Sequence, residues 1–219
     1  MTDHHEPVPL APDGATWGTF AIPGDARPSL FRLPAAGDAS LSPQLARLIL
    51  DRRTTVGDVV IDVDDDIAFA AAAVRAGRRH HALGGAVHLA AMGHAAGYID
   101  MILLRWPRPA VNAHWILIAC QALLRHVGCL VVAVSVEREQ RVAHLSSLSG
   151  AASTAGLRVV DHIAVFDPAD ETATPVAIPS RARRLARRRG LPEAADAAAG
   201  AAQFPHTDLL VFTSEAAPR

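Results

Sequence analysis

With 219 residues, half of them hydrophobic and a fifth charged, the chain can bury one sizeable core and lacks the composition of a disordered polymer. A formal net charge of −1 excludes a global electrostatic draw toward nucleic acid or membrane, so either partner would have to meet a local patch. Two cysteines, Cys120 and Cys129, are too few for a disulfide framework and fall in apolar segments, where they read as core fillers in a reducing compartment.

The chain begins MTDHHEPVPLAP, with neither a basic start nor an apolar run, so no signal peptide is expected. Residues 1–38 are rich in Pro, Gly and Ala and read as an irregular arm whose Trp17, Phe20 and Phe31 could pack onto the rest. Residues 39–219 read as one domain. SLSPQLARLILDRR places Leu41, Leu45, Leu48 and Ile49 on one helical face, with Ser40 or Ser42 as N-cap. VVIDV is the continuous apolar run of a strand covered on both faces. IAFAAAAVRAG is a helix closed by Gly77. In HHALGGAVHLAAMGHAAG a short strand at His80–Leu83 precedes an ambiguous, helix-like stretch.

YIDMILLRW is then a strand, VNAHWILIACQALLRHVG a helix ending at Gly128, and CLVVAVSVE the clearest strand in the chain. RVAHLSSLSGAASTAG is a helix, LRVVDHIAVFD a strand, and DLLVFT a last short strand. The longest apolar stretch, HWILIACQALL, is too short and too closely followed by arginine to cross a bilayer. Cytoplasmic location with no membrane partner is the expectation. Between Asp167 and Phe204 the texture changes from proline-rich to basic to alanine-rich, an insertion before the last strand. Strands alternating with helices predict an α/β fold with a mostly parallel, doubly wound sheet.

The order of these segments resembles the Rossmann-like S-adenosylmethionine-dependent methyltransferase fold, and more narrowly the DNA amino-methyltransferases that act on adenine N6 or cytosine N4. Gly57, Asp58, Val60 and Asp62 match the family's approach to its cofactor turn. Gly77-Arg78 matches the G-R before its second strand. DMILLRWPRPA stands where the D/N/S-P-P-Y/W strand belongs, and LLRHVGC, ASTAGLRVV and the set His206, Asp208, Leu210, Val211, Phe212 match later elements. The resemblance spans Ser40 to Thr213.

The departures are as informative. The family's turn glycines let backbone approach the cofactor. Here Asp66, Ala68 and Phe69 replace Gly, Gly and Thr, with Asp64 and Asp65 alongside, and the acid expected after the second strand falls near Gly84. In the catalytic tetrapeptide Arg105, Trp106 and Arg108 replace the acid or amide, the first proline and the aromatic, and only Pro107 survives. That motif accepts hydrogen bonds from the target amino group, whereas a guanidinium only donates.

Each candidate has an ordinary reading beside the functional one. Asp64, Asp65 and Asp66 could bind a hard cation, but capping of the following helix is preferred. Asp62, Asp64 and Asp66 mark the vestigial cofactor position, with Asp62 either a residual ligand group or a buried structural acid. Arg105 and Arg108 could grip phosphate while Trp106 stacks on a base, or Trp106 could fill a vacated pocket. Arg181, Arg183, Arg184, Arg187, Arg188 and Arg189 form a run that is either a solvated face or a phosphate footprint. Eleven histidines show no zinc-ligand spacing, so no metal site is expected.

These readings lead to a catalytically inactive methyltransferase-like protein with a binding or regulatory role, no cofactor, and DNA as the first-choice partner through the arginine run. The alternatives are a divergent methyltransferase that still uses S-adenosylmethionine, and a protein-interaction scaffold that forms a homodimer or holds another protein.

Overall fold

The computed structural model describes residues 29–33, 41–136, 138–166 and 206–214. The arginine run and the whole of the insertion lie outside these residues, as do residues 1–28 and 34–38 of the arm. Among the described residues seven strands form one sheet: β1 (Ser29–Arg32), β2 (Val59–Asp62), β3 (Arg79–Ala82), β4 (Ile99–Trp106), β5 (Leu124–Ser135), β6 (Leu157–Phe166) and β7 (His206–Ser214). Their order is β1-β6-β7-β5-β4-β2-β3. All pairings are parallel except those of β7, which runs antiparallel to both β5 and β6. The expected mostly parallel, doubly wound α/β sheet is what forms.

Helices α1 (Pro43–Arg53) and α2 (Ile67–Arg75) cover one face; α3 (Ala113–Leu123), α4 (Arg138–Thr154) and a 3₁₀ segment at Ala86–Ala95 cover the other. The apolar run of β4 serves both layers. Met101 and Leu103 pack with Leu45, Ile49 and Phe69, while Ile102, Leu104 and Trp106 pack with Leu117, Leu145 and Leu148. This is why β4 reads as continuous rather than alternating hydrophobicity. Ser42 is the N-cap of α1, its hydroxyl accepting from Leu45 N at 3.2 Å.

Two expectations need correction. Residues Ser29–Arg32, inside the segment read as irregular, add a strand beside β6. Their pairing is with a strand more than a hundred residues away, a partnership that local texture does not report. Helix α3 ends at Leu123, not at Gly128, and residues 124–128 begin β5. Gly128 explains the choice. A Cβ there would lie 2.8 Å from the Ile99 carbonyl oxygen and 3.0 Å from that of Asp100, so the backbones of β4 and β5 close together only over a glycine. The ambiguous stretch after β3 winds as a 3₁₀ helix.

Both cysteines are buried and unpaired to one another. Burial pushes the Cys120 thiol up to about 12, moderated by the Arg108 guanidinium. Burial likewise pushes Cys129 up to about 11. Among the described residues no helix is long and apolar enough to cross a membrane.

Candidate functional site at the carboxyl edge of the sheet

Ligands of open α/β folds sit beyond the carboxyl ends of the strands, so the turn from β2 into α2 and the loop after β4 face the same space. In the first, Asp62 ends β2 fully buried, and its carboxylate turns back on its own loop. Asp62 Oδ1 accepts from Asp64 N at 2.9 Å and Oδ2 from Asp66 N at 2.5 Å. Asp65 takes a left-handed backbone (φ 56°), which Asp tolerates better than most residues. Asp66 is the N-cap of α2, accepting from Phe69 N at 2.9 Å. The preferred capping reading therefore holds for Asp66, while the other two acids of the run do different work.

The second half of the arrangement comes from β4. Arg105 N donates to Asp64 Oδ2 at 2.7 Å, and Arg105 Nη2 donates to Asp66 Oδ2 at 3.0 Å. The same Asp66 oxygen accepts Leu41 N at 2.8 Å, from the segment leading into α1. Arg108 Nη2 pairs with Asp64 Oδ1, and Arg108 Nε donates to the Arg105 carbonyl at 3.2 Å. Two carboxylates and two guanidinium groups thus lock the β2–α2 turn to the β4–α3 loop. The pairs are mostly withdrawn from solvent: the side chains of Asp66 and Asp64 are 0% and 17% exposed, those of Arg105 and Arg108 29% and 15%.

The arrangement carries consequences for each candidate residue. Arg105 and Arg108 stand at the carboxyl edge as expected, but each is engaged with an aspartate there. Trp106 turns to the opposite face, where it is buried and donates from Nε1 to His144 Nδ1 at 3.2 Å. It fills space in the α3–α4 layer. Pro107 follows it across a cis peptide bond.

The sequence shows both departures, but not that the acids of one pair with the arginines of the other. The available signal was equal and opposite charge at the carboxyl ends of β2 and β4, which are neighbours in the sheet. Two histidines were also missed. His80 Nε2 lies 3.8 Å from Asp62 Oδ2, beyond hydrogen-bonding range, with its ring edge-on to Phe69 at 6.0 Å between centroids. His162 Nε2 shares a 2.8 Å hydrogen bond with Asp208 Oδ1, whose other oxygen lies 3.2 Å from Arg141 Nε. His80, on the edge strand β3, lies across from Val60, and His162 lies across from Leu210, each two residues out of register with its aspartate, a placement that needs strand order to be seen.

No protein-family model matches the sequence, and no curated protein does. Solved structures do. A methyltransferase from Archaeoglobus fulgidus described as S-adenosylmethionine-dependent superposes with a TM-score of 0.53 at 11% identity, over 79% of this chain and 95% of that one. The chain has the S-adenosylmethionine-dependent methyltransferase fold. Geranyl diphosphate C-methyltransferase from Streptomyces coelicolor A3(2), solved with Mg²⁺, geranyl diphosphate and S-adenosyl-L-homocysteine, gives 0.47 at 13% identity, over 80% of this chain and 81% of that one. The [4+2]-cyclase SpnF gives 0.46 at 15% identity, over 83% and 84%.

At these identities the likeness concerns the fold and leaves the site to be judged on its residues. In this methyltransferase fold the N–H groups of residues 64 and 66 are already taken by Asp62, and the side chains of Asp64 and Asp66 occupy the ground between the turn and the β4 loop. A Cβ added at Gly84 or Gly85, just past β3, would meet nothing within 4 Å. Among the described residues no group of three His, Cys, Asp or Glu side chains could hold a metal ion.

Proposed function

We propose that this protein uses the methyltransferase fold for binding and not for methyl transfer. The observation that supports this reading is the clasp of Asp64 and Asp66 with Arg105 and Arg108. It places side chains where a cofactor needs backbone, and it puts a donor-only guanidinium where an amino-group substrate needs an acceptor. DNA is the partner this reading favours, on the strength of the arginine run at 181–189, which lies outside the described residues. Titration calorimetry with S-adenosylmethionine and S-adenosylhomocysteine tests the first half. No heat of binding is expected, and micromolar binding by the unaltered protein would overturn the reading. Retention on a DNA column tests the second half: it should fall with added salt and be lost when the six arginines become alanine.

A second reading is a divergent methyltransferase whose clasp opens to admit S-adenosylmethionine. The fold favours it. In that case the same calorimetry gives binding, and replacing Arg105 and Arg108 with alanine tightens it by freeing the loop.

A further inference from the structure

The loop that leaves β4 is held from both faces of the sheet. On the α2 side the clasp holds it, with Arg105 N donating to Asp64 Oδ2 at 2.7 Å. On the α4 side the next residue holds it: Trp106 Nε1 donates to His144 Nδ1 at 3.2 Å. An indole N–H only donates, so this bond dictates the state of its partner. Nδ1 of His144 must be bare, and the single ring proton must sit on Nε2. A second proton on the ring would set two N–H donors against each other. Trp106 is only 8% exposed, so its N–H has no water to turn to while the indole stays in place. His144 is half-buried, which leaves its ring within reach of solvent protons.

We propose that His144 and Trp106 form a proton-sensitive catch: neutral His144 pins the β4–α3 loop to α4, and protonated His144 releases it. The surroundings favour release over rearrangement into an ion pair. One turn earlier on α4 stands Arg141, a like charge. Asp208 of β7 is already held by Arg141 and by His162 of β6. Asp161 of β6 pairs with Arg53 of α1 on the other face of the sheet. Cys120 of α3 is buried and keeps its proton. His114 of α3, Arg125 and His126 of β5 and Arg158 of β6 are exposed, and Cys129 packs in the opposite layer. Among the described residues none of these offers His144 a carboxylate to replace the indole.

Release of Trp106 reaches the clasp because its neighbour Arg105 carries two of the clasp's contacts, from N to Asp64 and from Nη2 to Asp66. Acid therefore loosens the β2–α2 turn from the α4 side. This holds whether or not the turn ever admits a cofactor.

Hydrogen exchange followed by NMR on the full chain tests it at about pH 8 and about pH 5, the span over which histidine gains its charge. The Trp106 indole signal is assigned by its absence in Trp106→Phe. After correction for the intrinsic rate at each pH, the open population at the Trp106 indole and at the Arg105 amide should rise roughly three- to tenfold in acid, the effect of one lost hydrogen bond. The Val132 amide, in the middle of the sheet, should keep its protection. His144→Gln, whose side-chain oxygen accepts and does not titrate, should leave the indole protected at both pH values. His144→Leu, which has no acceptor, should leave it open at both.

Indole protection that does not change with pH overturns the proposal. So does its loss in His144→Gln, which would assign the titration to another group such as His162. An Arg105 amide that stays protected while the indole opens overturns the link to the clasp. An equal loss at Val132 would mean global unfolding and overturns a local release.

Discussion

Replacing Asp66 with alanine is the sharpest probe of the clasp. Its carboxylate is fully buried and serves three donors from three parts of the chain: Phe69 N at 2.9 Å, Leu41 N at 2.8 Å and Arg105 Nη2 at 3.0 Å. Loss of the N-cap costs about 1 kcal/mol. Leaving the buried Leu41 amide without an acceptor adds roughly 1–3 kcal/mol. Arg105, still partly exposed, recovers water and contributes less. The expected destabilisation is therefore about 2–4 kcal/mol, which for a chain of this size lowers the melting temperature by roughly 10 °C.

Urea denaturation followed by circular dichroism measures it. Asp66→Asn, which keeps an acceptor for the cap but loses the charge, should fall between the two proteins. Arg105→Ala combined with Asp66→Ala should cost about 1–3 kcal/mol less than the sum of the single changes, because the two residues share one contact. A loss under about 1 kcal/mol for Asp66→Ala, or strict additivity with Arg105→Ala, would refute the claim that the turn is held by this clasp.

Three further outcomes follow from the packing. Gly128→Ala should cost about 1–3 kcal/mol, because its Cβ would meet backbone oxygens at 2.8 and 3.0 Å that cannot step aside; an unchanged denaturation midpoint would contradict the strand contact. Cys120 and Cys129 should resist a thiol reagent at pH 8 in the folded protein and react fully once it is unfolded. Their raised folded-state values also set the sign of a pH effect. Below the ordinary thiol value of 9.0 the contribution to stability is complete. Above it the unfolded thiols ionise while the folded ones stay neutral, so stability falls as pH rises toward about 11 for Cys129 and about 12 for Cys120. Between pH 8 and 10 the two together should remove about 3 kcal/mol, a drop that the double variant Cys120→Ala/Cys129→Ala should not show.

Much of the fold was legible because its signals are local. The two-faced burial of β4 and of the core of β5 appears as unbroken apolar runs, and Ser42 and Asp66 stand as N-caps before periodic segments. Where local signals competed, tertiary contact decided. The sequence LLRHVG continues a helical pattern from α3, yet Leu124 already pairs with Ile99 of β4 and the register resumes at Cys129 after an irregularity, where Gly128 permits a backbone approach that no side chain would allow. β1 was invisible for a related reason, since a four-residue strand at a sheet edge has no periodicity of its own and exists only by pairing with β6.

The site divides the same way. From the sequence came the elements that carry Asp62, Asp64, Asp66, Arg105 and Arg108, and the chemistry each residue type allows: carboxylates accept, guanidinium groups donate. Whether those charges face solvent, a ligand or one another depends on β2 and β4 lying side by side, with their following loops over the same edge. Residues some forty positions apart in the chain meet there as ion pairs. Charge and periodicity are properties of neighbours along the chain, and they were readable. Pairing across a sheet is a property of neighbours in space, and only the folded arrangement could supply it.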